Sequence, residues 1–328
     1  MLPDSIVEHL RRALRDTAAD GQRYELREPV GQGGMGTVYR AFDRTLEREV
    51  AVKVLRAGSA NPGMATRLGR EARILARLEH PGIVPIHDAG ILADGRIYYV
   101  MKLVRGEPLG RVAQDVPTAE LLRLFLRICE TVGFAHAQGI VHRDLKPSNV
   151  MVGAFGEVLV LDWGIARVTR DLEAAVPAAP TAPRAGAGGR SGTHPDDTAP
   201  GTVLGTPGFM APEQAQGRHD LVDARTDVFA LGAILRALLH PEPGSGRVAP
   251  ALVSIWSRAM AAGPEQRYDS AAALAADLAR YLDGEPVRAH RESLAERAGR
   301  VFRKYQTAIV LVLTYLLIRF VFLAARGL

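Results

Sequence analysis

Residues 141–152 read VHRDLKPSNVMV, a run in which apolar residues flank His142, Arg143, Asp144, Lys146 and Asn149. A carboxylate, an ammonium and an amide set this close are costly to order unless water or a ligand satisfies them; a hydrophilic turn between a helix and a strand is the alternative. Other pieces carry chemistry of their own. GQGGMGTV supplies Gly31, Gly33, Gly36 and Val38 as G-x-G-x-x-G-x-V, with Gln32, Gly34 and Met35 between them. Backbone without side chains can lie close over phosphate oxygens and offer them N–H groups, although a Gly-rich hairpin turn reads the same way. A dinucleotide-binding fingerprint would open a helix with its last glycine, and the strand-like alternation from Thr37 to Asp43 argues against that. VAVKVL puts Lys53 on a strand face with Ala51 and Leu55, so its ammonium points among apolar groups and requires an anionic partner. Glu71, in GREARIL on the following helix, can supply one, which leaves Lys53 to hold phosphates. VLVLDWG delivers Asp162 to a turn; with Asp144 and Asn149 it offers oxygen ligands of the kind that bind Mg²⁺ alongside substrate phosphates.

These groups need elements to hold them. Residues 24–55 alternate in strand fashion as YELREPV, TVYRAFD and EREVAVKVL, separated by turn signals at GQGGMG and RTLE. A helical stretch, MATRLGREARILARLEH, follows and is ended by Pro81-Gly82. Two more strand-like pieces, IVPIHDAG and RIYYVMKLV, flank a turn at Ala93-Asp94-Gly95. From Thr118 onward the pattern is mostly helical, interrupted by VMV and VLVLDWG. The expected fold class is α+β and bilobal, with a β-rich N-lobe over 24–102, an α-rich C-lobe over 103–283 and a hinge near 102–106. Residues 171–201 are Ala/Pro/Gly-rich with few large apolar groups, cannot build a core and are expected to be disordered. A loop of that length inside a domain is either functional or a linker.

With 328 residues and 47% hydrophobic content the chain can bury a sizeable core. A formal net charge of +5 does not by itself indicate nucleic acid, and no nucleic-acid partner is expected. The single cysteine, Cys129, lies in an apolar helical pattern and cannot form an internal disulfide, which fits a reducing, cytosolic setting and a packing role. Charges run throughout Met1–Asp20, so no secretory signal is read there. Residues 1–23 are instead read as carrying an amphipathic helix, opened by the capping box Ser5 and Glu8. At the other end, residues 308–325 (AIVLVLTYLLIRFVFLAA) are apolar apart from Thr314, Tyr315 and Arg319. As a helix they span roughly 27 Å, just enough for a bilayer core. Arg319 costs roughly 2.5–3.5 kcal/mol at the membrane centre, less where it snorkels. The segment 284–307 before it is basic, with Arg288, Arg291, Arg297, Arg300, Arg303 and Lys304 against Glu292 and Glu296. That asymmetry puts the preceding domain on the cytoplasmic side of a cell membrane, with 308–325 as a single-pass transmembrane helix. A buried core helix is the alternative. Only Arg326, Gly327 and Leu328 follow, and no outer sensor domain is expected.

Taken together, these motifs resemble the protein kinase family, in the style of bacterial serine/threonine kinases, over roughly residues 24–283. HRDLKPSN has the form H-R-D-x-x-x-x-N, LDWG stands where the family has D-F-G, and GTPGFMAPE carries A-P-E. TDVFALGAIL looks like the family's helix anchored by Asp227, and PEQRYDSA supplies Arg267, which in such folds pairs with Glu213. The resemblance implies a bilobal protein-kinase-like fold, ATP and Mg²⁺ as cofactors, and protein substrates with Ser/Thr acceptors. By resemblance Asp144 orients the substrate hydroxyl, Lys146 neutralises the γ-phosphate, and Asn149 and Asp162 hold Mg²⁺. Lys53 holds the α- and β-phosphates, Glu71 fixes Lys53, and Gly31, Gly33 and Gly36 cover the phosphates. The adenine lies against backbone at Lys102–Val104, beneath Val38 and Ala51 and above Met151, with Met101 as gatekeeper. Lys146 together with Thr206 in GTPGF points to serine/threonine rather than tyrosine acceptors. Arg143 before the catalytic Asp implies control by a phosphate on the activation loop. Thr198 and Thr202 are its nearest acceptors, Ser191 and Thr193 lie further out, and a homodimer would serve trans-autophosphorylation.

Some positions depart from the family's pattern. Trp163 replaces the usual Phe, and its ring is expected against Leu75, Ile86 and His142. The insertion at 171–201 makes the activation segment unusually long, and residues 241–250 are short where a substrate-docking helix often stands. Two rivals to a membrane-anchored kinase remain at this point, a pseudokinase scaffold that binds ATP and a kinase acting on free metabolites.

Overall fold

A computed structural model of the chain describes residues 23–33, 36–55, 78–92, 96–163, 208–239 and 248–325. Several expectations fall outside the described residues: the N-terminal helix, Gly34 and Met35, the stretch carrying Glu71 and Leu75, and the insertion with Thr198 and, beyond it, Thr202 and Thr206.

The N-terminal part is one antiparallel sheet. Strands β1 (Tyr24–Gly33), β2 (Gly36–Asp43), β3 (Arg48–Leu55), β4 (Ile86–Ile91) and β5 (Ile97–Lys102) pair in the order β1-β2-β3-β5-β4. Period-two alternation gives each strand two faces. One face carries Tyr39 and Ala41 of β2 and Val50, Val52 and Val54 of β3, which form a core with Leu26, Leu92 and Val100. The other carries Val38, Ala51 and Lys53, and the register sets Val38 opposite Lys53 and Ala51 opposite Met101. The β2–β3 turn is fixed by the buried Asp43 carboxylate, which accepts the backbone N–H groups of Thr45 and Leu46.

Past the hinge, β6 (Glu107–Pro108), β7 (Val150–Val152) and β8 (Val158–Val160) form a small second sheet. Around it stand α1 (Leu109–Val112), α2 (Thr118–Ala137), α3 (Pro212–Ala215), α4 (Ala224–Leu239), α5 (Pro250–Ala259) and α6 (Ala271–Leu282). The core of this lobe joins Phe125, Ile128 and Val132 of α2 to Leu231, Ile234 and Leu235 of α4 and Leu274 and Leu278 of α6. Cys129 belongs to this core, and burial pushes its thiol up, so it stays protonated and packs as an apolar group. Helix α6 is capped by Ser270, whose hydroxyl accepts the Ala273 N–H at 3.1 Å.

Packing continues past α6. Val287 enters the core, and the carboxylate of the buried Asp277 accepts the N–H groups of Arg288 (2.8 Å) and Ala289 (2.9 Å) and the Tyr268 hydroxyl (2.9 Å). This strap leads to α7 (Leu294–Ala325), opened by a reciprocal cap in which Ser293 and Glu296 bond each other's backbone N–H. Among the described residues no helix is long and apolar enough to cross a membrane. In the apolar half of α7 the described side chains run from Val310 to Phe322. The transmembrane helix expected over 308–325 is therefore not found among the described residues. Along Val310–Phe322 the helix is exposed on every face.

Candidate active site

The sheet and the C-lobe meet at Lys53. It is 5% exposed, and its ammonium lies 2.5 Å from the Asp162 carboxylate and 5.9 Å from the centre of the Tyr99 ring. The inward strand lysine expected from VAVKVL is therefore present, and the acid it meets among the described residues is Asp162. Whether Glu71 also reaches it lies outside the described residues.

The loop over 141–149 is built by backbone capture. Asp227, buried at the start of α4, accepts the N–H of His142 on Oδ2 (2.7 Å) and of Arg143 on Oδ1 (2.8 Å), and His136 Nε2 donates to it at 2.8 Å. Gln214 holds the Arg143 carbonyl from the other side at 2.8 Å. Arg143 takes a left-handed backbone (φ 66°) and is half-buried. The buried His142 ring joins two segments: Nε2 donates to the Leu161 carbonyl at 2.8 Å, and Nδ1 accepts the Asp144 N–H at 3.3 Å. Asp144 and Lys146 form an ion pair at 3.0 Å. Asn149 donates from Nδ2 to the Asp144 carbonyl at 2.8 Å, which leaves its amide oxygen for another partner.

Asp162 itself has φ 59°, a conformation costly for a residue with a side chain. Behind it lies a small cavity lined by Ile86, Tyr99, Met101 and Trp163. The Trp163 ring sits 4.9 Å from that of His142, as the sequence suggested, and lines the same cavity as Ile86.

At the glycine loop the structure separates two glycines. A Cβ on Gly36 (φ 155°) would fall 2.2 Å from the Val54 carbonyl, so β2 and β3 approach too closely there for any side chain. Among the described residues, a Cβ on Gly31 would meet only Val38, at 3.9 Å. Ala51 and Val38 stand on the same face of the sheet as Lys53, Met101 and Lys102 end β5 with Val104 just beyond it, and Met151 lies on β7.

Further from the cleft, Arg267 and Glu213 form the expected pair. Two parallel bonds of 2.8 Å join them, and the remaining guanidinium donors go to the carbonyls of Ala261, Arg225 and Ala262. All five donors of this buried guanidinium are thereby used. Burial works to raise the Glu213 carboxyl, but Arg267, with its own backbone N–H and Thr226, holds it below the usual carboxylate range.

A protein kinase domain model matches residues 24–247. The serine/threonine-protein kinase PknD of Chlamydia caviae is 34% identical over 310 residues, covering 81% of this chain and 32% of that protein. PknD of Chlamydia muridarum is 33% identical over 328 residues, covering 88% of this chain and 35% of that protein. The chain spans about a third of the length of these relatives. Among solved structures, the kinase domain of Mycobacterium tuberculosis PknI superposes with a TM-score of 0.56 at 25% identity, over 80% of this chain and 96% of that one. This chain belongs to the protein kinase family, and these curated relatives are bacterial serine/threonine-protein kinases.

Kinases of this family use ATP with a divalent metal, and the residues present fit both. Asp162 and the amide oxygen of Asn149 are hard oxygen donors of the type Mg²⁺ takes. No group of three or more His, Cys, Asp or Glu side chains that could hold a metal occurs among the described residues.

Three contributions escaped sequence reading: the grip of Asp227 on two backbone N–H groups, the His142 bridge to Leu161, and the Gln214 bond to Arg143. The first had a signal. An acid inside the apolar run of α4 must find donors, and a loop rich in turn residues is where free N–H groups occur.

Proposed function

We propose that this chain is an ATP- and Mg²⁺-dependent serine/threonine protein kinase that transfers the γ-phosphate of ATP to Ser/Thr hydroxyls of proteins. The observation that carries the reading is the meeting of Lys53 with Asp162 beside a loop that holds Asp144, Lys146 and Asn149 in one hydrogen-bonded frame. Phosphoryl transfer needs alignment and charge neutralisation more than covalent chemistry, and this frame supplies both. Asp144 orients the substrate hydroxyl and accepts its proton, while Lys146 neutralises charge on the transferred group. Lys53 holds the α- and β-phosphates under the backbone of Gly31 to Gly36. Asn149 and Asp162 hold Mg²⁺, which when bound spreads the phosphate charge. The purine lies between Val38 and Ala51 above and Met151 below, against the backbone of Lys102–Val104. A pseudokinase would lack one of these groups, and each is present.

Regulation is part of the proposal. Thr198 and Thr202 accept phosphate in trans within a homodimer, and Arg143 answers it. So is the membrane: the apolar segment 308–325 anchors the chain, and the basic run 288–304 keeps the kinase domain on the cytoplasmic side. The exposure of Val310–Phe322 on every face supports that reading, since a helix this apolar, with Thr314, Tyr315 and Arg319 its polar residues, seeks a protein core or lipid.

The test uses the full chain in lipid, stripped of phosphate and given Mg·ATP, with new phosphosites mapped by mass spectrometry. The parent should label itself or a generic protein substrate on Ser or Thr, and Asp144→Asn should not. Binding of Mg·ATP without any transfer would overturn the enzyme reading.

A further inference from the structure

The residue after Asp162 is a tryptophan, and nothing in the proposed chemistry uses its indole nitrogen. We propose that Trp163 is a positioning residue whose indole N–H clasps the Val160 carbonyl across Asp162, holding the Asp162 carboxylate in its working place before nucleotide arrives. This rests on the kinase reading and deepens it.

The indole Nε1 donates to the Val160 carbonyl at 3.0 Å from a side chain that is 6% exposed. The bond closes a tight ring of chain around Asp162, whose left-handed backbone is costly in isolation. Such a conformation persists only where its neighbours over-determine it, and here they do. The Val160 N–H is held by the Gly82 carbonyl at 2.8 Å, and the Leu161 N–H by the Asn149 carbonyl at 2.8 Å. The Leu161 carbonyl is held by His142 at 2.8 Å, and the Trp163 ring lies 4.9 Å from the same histidine. Residues on both sides of Asp162 are thus pinned to the N-lobe edge, to the loop of Asn149 and to His142.

The indole bond differs from the others in coming from the side chain of residue 163. A phenyl ring there keeps the packing and loses the bond. To turn Asp162 out of the cleft, residue 163 must turn as well. With tryptophan that motion breaks the clasp and leaves a polar N–H in an apolar site. Losing one net hydrogen bond shifts a two-state balance roughly three- to tenfold, so Trp163 biases the chain by about that factor toward the carboxylate-in arrangement.

Two measurements on the full chain in lipid test this. The chain has two tryptophans, Trp163 and Trp256, so ¹⁵N-indole labelling gives two N–H signals that Trp163→Phe assigns. The Trp163 N–H should exchange slowly with D₂O without nucleotide or metal, and its rate should not change when Mg·ATP is added. Fast exchange in the free chain, or protection only after Mg·ATP, overturns the clasp. In the second measurement, Trp163→Phe should raise the Mg²⁺ concentration for half-maximal transfer roughly three- to tenfold, with the thermal midpoint little changed. An unchanged Mg²⁺ requirement overturns the positioning role. A parent that transfers no phosphate counts against the kinase reading instead, and the exchange measurement separates that failure because it needs no activity.

Discussion

The Lys53 ammonium and the Asp162 carboxylate lie 2.5 Å apart although 109 positions separate them in the chain. One comes from the third strand of the N-lobe sheet and the other from the turn after β8, so the pair ties the two lobes together at the floor of the cleft. Lys53→Met leaves Asp162, whose side chain is 33% exposed, in reach of water. The variant should fold and keep its thermal midpoint within a few degrees. Transfer from Mg·ATP should fall by roughly a hundredfold or more, the scale for removing one preorganised charge-stabilising donor. Parallel melting curves and phosphotransfer rates check it.

Gly31 and Gly36 should behave differently when replaced. Gly31→Ala meets nothing closer than 3.9 Å among the described residues, so its effect should appear in nucleotide affinity and not in stability. Gly36→Ala puts a methyl 2.2 Å from the Val54 carbonyl, next to Lys53, and must spread β2 from β3. Its thermal midpoint should drop and its activity fall together. Equal loss of stability in both variants would contradict the geometry.

Asp227→Asn removes a group that accepts the N–H of His142 on one oxygen and of Arg143 on the other. An amide has only one oxygen to offer, so one of these backbone groups loses its partner at a cost of about 1–3 kcal/mol. The catalytic loop should loosen, with faster amide exchange at residues 142–144 and a lower kcat. The KM for ATP should change little, because Asp227 does not face the cleft.

Arg267→Ala strands the Glu213 carboxylate in a site where it is 4% exposed. Breaking a buried pair from one side costs about 3–5 kcal/mol. For a domain of this size that is a fall of roughly 6–20 °C in thermal midpoint.

The same pair sets an acid limit. The Glu213 carboxyl is held below its ordinary range in the folded chain. Its contribution is therefore fully present above the ordinary glutamate range and is lost as pH falls through the lower folded value. Urea midpoints taken from neutral pH downward should decline in that acid window for the parent, and Glu213→Gln should flatten part of the decline while starting lower. A parent whose stability rises on acidification would contradict the sign.

Much of this site could be read from single residues. Lys53 stood out because an ammonium on an apolar strand face needs an anion, and the five strands of the N-lobe followed from alternation. Asp144, Lys146, Asn149 and Asp162 came from motif order, as did the Arg267–Glu213 pair. Less legible were relations that depend on backbone groups. Sequence states that Asp227 exists but not that its two oxygens hold two consecutive N–H groups, because those donors belong to main chain with no residue identity. The left-handed backbones of Arg143 and Asp162 were equally hidden, since arginine has no preference for that conformation and aspartate only a modest one, and the surrounding bonds impose it. The indole clasp needed coordinates too: that Trp163 reaches back three positions instead of across the cleft is a matter of one side-chain torsion.

The strap held by Asp277 has a mechanical meaning. Two backbone bonds, the packing of Val287 and the Tyr268 hydroxyl fasten the chain just before α7 begins. Tyr268 adjoins Arg267, whose guanidinium grips both Glu213 and the carbonyl of Arg225 at the head of the helix that carries Asp227. A twist applied to α7 is therefore not absorbed by slack chain. It loads a joint that reaches, through Arg267, the head of the helix whose Asp227 holds the loop of Asp144, so the last helix is set into the lobe as a lever and not tied to it as a rope.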